Sequence, residues 1–298
     1  MQLAEPILNR SRLFPLSSAP LNGEAEMNLE EAIQYALESE GSGFRRKLVV
    51  AVGRMAGLSE DSREELAGAI EYFHHASLIF DDLPAMDDAG ERRGRPCLHR
   101  VAGEGLSILA ALSLINRAYT QCWRVAAEYP VWAKEAARLV DLCIGEMGLL
   151  DGQARDLAYS RTKGENEVRE IAGLKTGTLL KLTLLLPATL AGVSAHERLL
   201  LSHLAEFWGF AYQAIDDFAD LALGTTVQDK TGFRDVELDR PNLVLSIGTT
   251  AAAEEIRRSL RMAEKQIEDL GGRWAGLREF HAVLCRKESA AHAALEAA

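Results

Sequence analysis

The chain has 298 residues, a formal net charge of −11, 48% hydrophobic residues and 26% charged residues. That length buries a sizeable core in one or two domains, and the composition is ordinary for a soluble globular protein. The acidity argues against a nucleic-acid binder, which carries a basic patch, but not against an anionic small molecule, because bound metal ions reverse a local field.

Residues 1–25 read as a flexible tail. Its first twenty residues are broken by Glu5, Asn9, Arg10 and Arg12 and by three prolines, which does not fit a signal peptide. Asn28 with Glu31 three positions later forms an N-cap pair opening a helix through about Glu40. Apolar residues then recur at helical spacing over 44–56, 62–81, 103–128, 131–157, 165–173, 176–192, 195–222, 250–270 and 274–296. Alternating strand patterns are scarce. The segment 223–248, rich in Gly, Thr, Asp and Arg, reads as a functional loop. The longest apolar stretch, Leu179 to Val193, contains Lys181 and Pro187 and is short for a membrane span, so no span is expected. Cys97, Cys122, Cys143 and Cys285 form no C-x-x-C pair, which suits reduced thiols in a cytoplasmic protein. With no repeat or linker, residues 26–298 read as one all-α domain. The expected architecture is a single-domain bundle of ten or more helices around a central cavity.

The helices over 62–81 and 195–222 are apolar on most faces and should lie centrally. Both end in aspartates. Residues 78–96 read LIFDDLPAMDDAGERRGRP. Acidic runs are usually solvated turns, but crowded carboxylates repel, and a divalent cation removes that cost. Pro84 breaks helix geometry and lets Asp81, Asp82 and Asp87 converge. The second cluster, YQAIDDFADL, places Asp216 and Asp220 four apart on one helix face with Asp217 beside them. Two such clusters facing across a cavity suit Mg²⁺ ions shared with a polyphosphate. Arg92 and Arg93, Lys175 with Thr176 in LKTG, and Lys230 supply phosphate-binding groups.

DDLPAMD followed by RRGRP, then QARDL (Gln153 to Leu157), LKTG and YQAIDDFAD, resembles the trans-type polyprenyl diphosphate synthases in order and spacing. The resemblance runs over roughly residues 28–290 and is strongest to bacterial geranylgeranyl and farnesyl diphosphate synthases. It implies an isoprenoid synthase fold and a transferase, a homodimer, that joins an allylic diphosphate to isopentenyl diphosphate. Asp81, Asp82, Asp87, Asp216 and Asp220 would hold Mg²⁺, with Asp217 and Lys175 also catalytic. Arg92, Lys175, Thr176, Gln213 and Lys230 would hold the allylic diphosphate, and Arg45, Lys47, His74 and Arg93 the isopentenyl one. Ala76, five residues before Asp81, would help set product length at about geranylgeranyl.

Two stretches depart from the family pattern. GFRRKL (43–48) has Phe44 where the family carries lysine and Lys47 where it carries arginine, with Arg46 as a neighbouring cation. DKTGFRDVELDRPN lacks the loop's second lysine, for which Arg240 is the candidate replacement. Two other readings therefore stand beside elongation. One is a terpene-cyclase-like enzyme that ionises a prenyl diphosphate without adding isopentenyl units, with Phe44 as an aromatic wall for a carbocation. The other is a non-catalytic partner subunit, which has no need for intact aspartate motifs.

Overall fold

The computed structural model describes residues 27–38, 41–160, 164–226 and 240–297, with the side chains of 219, 220, 222–226 and 294–297 left aside. The expected N-terminal tail and Lys230 lie outside the described residues. Helices α1 (Leu29–Leu37), α2 (Phe44–Ala56) and α3 (Glu60–Asp82) lead into a two-stranded hairpin, β1 (Glu91–Arg92) and β2 (Arg95–Pro96). Then follow α4 (Leu98–Ala102), α5 (Glu104–Glu128), α6 (Ala133–Ile144), α7 (Leu149–Leu157), α8 (Glu165–Ala172), α9 (Thr178–Leu190) and α10 (Ala195–Thr226). The chain ends with α11 (Leu243–Ile247), α12 (Thr249–Leu270) and α13 (Leu277–Ala297).

Local chemistry explains most of the boundaries. Asn28 caps α1 by accepting from the Glu30 and Glu31 amides, and Glu31 returns a bond to the Asn28 amide at 2.8 Å. Ser59 accepts from the Ser62 amide at 3.1 Å, so α3 starts two residues before the predicted position. Removing such a cap costs about 0.5–2 kcal/mol. The single helix expected over 131–157 is in fact α6 and α7. Residues 145–148 turn so tightly that a Cβ at Gly148 would lie 2.2 Å from the Cys143 carbonyl oxygen, a glycine signal that periodicity alone does not register. The hairpin, α4 and α11 were also missed, because two- to five-residue elements carry no period.

Trp208, at the middle of α10, is fully buried, and its ring N–H donates to His281 on α13 at 3.3 Å. Around it α10 packs against α9, α12 and α13, while a second cluster joins α2, α3, α5, α6 and α9. The run Glu165–Leu190 is long and apolar enough to cross a membrane by length and composition, but 56% of its apolar window is buried among these neighbours, as in a core helix.

Between α8 and α9 the helix widens into a π-helical turn, Gly173–Gly177. Neighbouring helices meet this turn through glycines. A Cβ on Gly152 of α7 would lie 2.6 Å from the Lys175 amide nitrogen, and one on Gly209 of α10 would lie 2.8 Å from the Gly177 Cα. Backbone on both sides leaves no flexible side chain to yield. Gly209→Ala is expected to lower unfolding free energy by about 1–3 kcal/mol through overpacking, read by urea denaturation. Wild-type stability in that variant would mean that α10 does not need this close approach.

Candidate active site

Sequence signals converge on one cavity of about 330 Å³ between α3, α7, the π-turn and α10. Pro84 acts as expected. Leu83 ahead of it is extended (ψ 151°), α3 stops at Asp82, and the chain folds back so that the Asp87 amide donates to the Asp81 carbonyl at 2.9 Å. Asp81 and Asp87 consequently line the same cavity. Asp82 does not. It lies a third of a turn round the helix, buried, and Arg92 grips it with Nε at 2.9 Å and Nη2 at 2.7 Å. Asp82 is thus a strut for Arg92, which itself reaches the cavity.

The hairpin turn is Arg93–Gly94, both with positive φ (55° and 73°), the type I′ pattern that suits right-twisted strands. For arginine this conformation is strained, and it points Arg93 at Gly41, where a Cβ would lie 2.9 Å from the guanidinium. Arg93 lines the cavity with Arg45 and His74. Burial, then the charges of Arg45, His75, Arg93 and Arg92, hold His74 well below the usual imidazole range, so it is a neutral group among cations.

Lys175 and Thr176 lie inside the π-turn rather than at the helix start expected from sequence. A π-turn inserts one extra residue and is common at functional sites. Lys175 Nζ sits 3.0 Å from Asp156 and 3.7 Å from Asp81. Burial acts to lower the Lys175 pKa, but the carboxylates of Asp81, Asp156 and Asp87 more than offset it and raise it. Gln153 donates to Asp81 at 3.0 Å, one turn before Asp156 on α7. Arg240 then ties the halves together: it pairs with Asp87 and donates to the Asp156 carbonyl at 3.1 Å. Gln153 and Asp156 were legible only as part of the QARDL motif, without an assigned role.

On α10, Asp216 lines the cavity and accepts no hydrogen bond among the described residues. Burial raises its pKa against the opposing charges of Lys287, Arg45 and Arg93. Asp217 is different. Its oxygens accept from Gln213 at 2.8 Å and from the Leu243 amide at 2.8 Å, so it anchors α11. Thr176 donates to Gln213 at 2.6 Å, which links the π-turn to the same chain of bonds. Asp220 lies one turn further along α10, with its side chain outside the described set.

Three expected site residues take other places. Lys47 is exposed and donates to the Ser42 carbonyl at 3.2 Å, outside the cavity lining. Ala76, 2% exposed, packs in the cluster with Ile33, Ala110 and Leu114 instead of facing the cavity, whose wall on α3 is His74, Ser77, Leu78 and Asp81. Phe44 is buried against Tyr212 and Phe280, with ring centroids at 6.2 and 5.6 Å, so it is core packing and no carbocation wall.

Among the described residues, no three carboxylate, imidazole or thiol side chains converge on one point as a closed metal cage. What the cavity offers is hard oxygen donors on facing elements, Asp81 and Asp87 on one side and Asp216 on the other. That donor set fits Mg²⁺, which keeps water and takes further ligands from phosphate oxygens.

A family model described as "Polyprenyl synthetase" matches residues 26–271. Geranylgeranyl pyrophosphate synthase 9, chloroplastic, of Arabidopsis thaliana is 33% identical over 250 residues, 81% of this chain and 69% of that protein. Geranylgeranyl diphosphate synthase of Pantoea ananas is 31% identical over 251 residues, 83% of this chain and 81% of that one. Among solved structures, geranyltranstransferase from Thermotoga maritima superposes with a TM-score of 0.70 at 28% identity, over 91% of this chain and 92% of its own. A geranyltransferase from Legionella pneumophila gives a TM-score of 0.73 at 27% identity, over 89% and 88%. Fold and cavity define an all-α bundle of the isoprenoid synthase type. The chain belongs to the polyprenyl synthetase family.

The charge balance at Asp81 has a pH signature. Burial, only partly offset by Lys175, raises its carboxyl from 3.8 to about 6. Between those values the folded chain holds a proton that the unfolded chain has lost, so metal-free stability falls as pH rises through the window. A divalent cation needs the deprotonated carboxylate. The melting-temperature gain from MgCl₂ plus inorganic diphosphate is therefore expected to be small at pH 5 and to grow to a plateau above pH 7. A gain independent of pH would mean that Asp81 is not a ligand.

Proposed function

We propose that the chain is a short-chain trans-prenyltransferase that condenses an allylic diphosphate with isopentenyl diphosphate in the presence of Mg²⁺. The observation that carries the reading is the single cavity lined by Asp81 and Asp87 on one side, Asp216 on the other, and Lys175 and Arg92 between them. Such a site has little use except to hold a polyanion together with divalent cations. The geranylgeranyl diphosphate synthases among its relatives support the product class.

In this reading Asp81, Asp87 and Asp216, with Asp220 on the next turn, hold Mg²⁺, which supplies charge to stabilise a departing diphosphate. Lys175, Arg92, Thr176 and Gln213 orient that group, and Asp156 and Gln153 fix Lys175 and Asp81. This reading requires no protein nucleophile, and the bond to the leaving oxygen breaks by charge stabilisation. The allylic cation is then attacked by the isopentenyl double bond, and the released diphosphate takes the proton that restores the alkene. Leu78, Leu149 and Leu179 line the cavity beside Ser77 and offer an apolar wall to the growing chain. In the ionisation-only alternative Phe44 no longer serves as a carbocation wall, because it lies in the core.

Purified protein incubated with Mg²⁺, isopentenyl diphosphate and dimethylallyl, geranyl or farnesyl diphosphate is expected to give prenyl diphosphates of farnesyl to geranylgeranyl length, resolved by mass spectrometry. Asp81→Ala and Asp216→Ala are each expected to lower turnover by roughly two to three orders of magnitude with helical content unchanged. Full activity in either variant, or in excess chelator, would sink the mechanism.

The wall geometry favours Ser77 over Ala76 as the length-determining position in this reading. Ser77→Phe, facing the cavity, is expected to shorten the product by an isoprene unit. Ala76→Tyr is expected to strain the packing of α3 on α5 by about 1–3 kcal/mol instead. Product chromatography beside thermal melts separates the two. An unchanged product length in Ser77→Phe would place the end of the chain elsewhere.

A further inference from the structure

Arg240 lies just ahead of α11, beside the second aspartate motif, yet its guanidinium ends at the first. Nη2 donates to the Met86 carbonyl at 3.1 Å and pairs with the Asp87 carboxylate. Nη1 donates to the Asp156 carbonyl at 3.1 Å and stands 3.6 Å from the Asp156 carboxylate. The backbone that carries this side chain is stiff. Pro241 fixes its own φ, and buried Asn242 caps α11 by accepting from the Leu245 amide at 3.0 Å. The next amide, that of Leu243, is held by Asp217 of α10 at 2.8 Å. The guanidinium can therefore leave Asp87 by turning its own side chain, with the backbone in place.

On this side of the cavity three carboxylates, Asp81, Asp87 and Asp156, meet two cations, Lys175 and Arg240. The set is close to neutral as it stands. A divalent ion on Asp87 would share that carboxylate with the guanidinium, and like charges at such a distance repel in a site of low dielectric. Metal and Arg240 thus compete for one acid. The guanidinium also keeps a donor in reserve: its Nε is buried and has no acceptor among the described residues. Nε and one Nη form the planar fork that takes two oxygens of a phosphate, and Arg240 lines the cavity where such a group would lie.

We propose that Arg240 is a counter-ion that changes partners. It holds Asp87 while the site is without metal, competes with a divalent cation that arrives alone, and moves to a diphosphate oxygen when metal and diphosphate arrive together. Metal loading at the first aspartate motif is thereby made conditional on the substrate anion. The inference rests on the reading of Asp87 as a metal ligand and adds the exchange of partners.

The test measures metal binding and needs no turnover. Mn²⁺, a paramagnetic substitute for Mg²⁺, is titrated into the full chain with and without inorganic diphosphate, and the free ion is read by its EPR signal. Wild type is compared with Arg240→Gln, Arg240→Lys, Asp87→Asn and the Asp87→Asn/Arg240→Gln pair, with melting temperatures as a folding control. Wild type is expected to bind Mn²⁺ alone at least tenfold more weakly than with diphosphate. Arg240→Gln is expected to bind Mn²⁺ alone about tenfold more tightly than wild type and to gain correspondingly less from diphosphate, whereas Arg240→Lys stays within about threefold of wild type. In the Asp87→Asn background Arg240→Gln is expected to change nothing, because the contested carboxylate is gone. Wild-type Mn²⁺ affinity in a folded Arg240→Gln protein, or a gain that persists without Asp87, would overturn the proposal. So would equal Mn²⁺ affinities of the wild type with and without diphosphate. Failure of the metal-site reading shows differently: Asp87→Asn alone would then bind Mn²⁺ with diphosphate as tightly as wild type, and both inferences would fall.

Discussion

Lys175 lies between two carboxylates, 3.0 Å from Asp156 and 3.7 Å from Asp81, and much of the molecule is arranged to keep it there. An ammonium on a flexible stem holds one place only if its backbone does. The π-turn Gly173–Gly177 supplies that fixed backbone, and Gly152 and Gly209 let α7 and α10 close on it to backbone contact. Asp81 arrives from α3 and Asp156 from α7, so one ammonium joins elements far apart in the chain. Buried acids and a buried base tolerate one another only as a set, since removing any member leaves an unpaired charge in low dielectric.

The aspartates of the two motifs divide into two kinds of work. Asp81, Asp87 and Asp216 face the cavity, whereas Asp82 is turned into the protein and holds Arg92, and Asp217, at the cavity edge, holds the start of α11. Adjacent helical residues point about 100° apart, so a DD pair cannot put both side chains on one ligand with the same geometry. Doubling the acid gives one group for the site and one to brace the elements around it. Arg240 completes the bracing by pairing with Asp87 and bonding to the Asp156 carbonyl.

The Phe44–Tyr212–Phe280 cluster shows how a lost charge and a gained contact can be one event. Phenylalanine at this position gives α2 no cation at its first residue, but its ring fills the joint where α10 and α13 meet. The side chains after it turn apart: Arg45 reaches the cavity, Arg46 pairs with Glu64 and Lys47 bonds back to Ser42. Exposed pairs such as the last two contribute little to stability.

The order of the motifs, the all-α periodicity and the breaking power of Pro84 are local properties, and the sequence by itself determined them. Together with the family resemblance, they were enough to bring the aspartates, the hairpin arginines, Lys175 and Gln213 together as candidates for one site. Glycine contacts across helices, the split at 145–148 and the π-turn were not legible, because each depends on what a neighbouring element places within a few ångströms. Helical phase decided that Asp81 and not Asp82 meets the cavity, and it turned Ala76 into the core while Ser77 faces the wall. In the sequence Arg240 is only the candidate replacement for a loop lysine. Its meeting with Asp87, 153 residues away along the chain, was decided by the fold, since electrostatic meaning comes from distance in space and not along the chain.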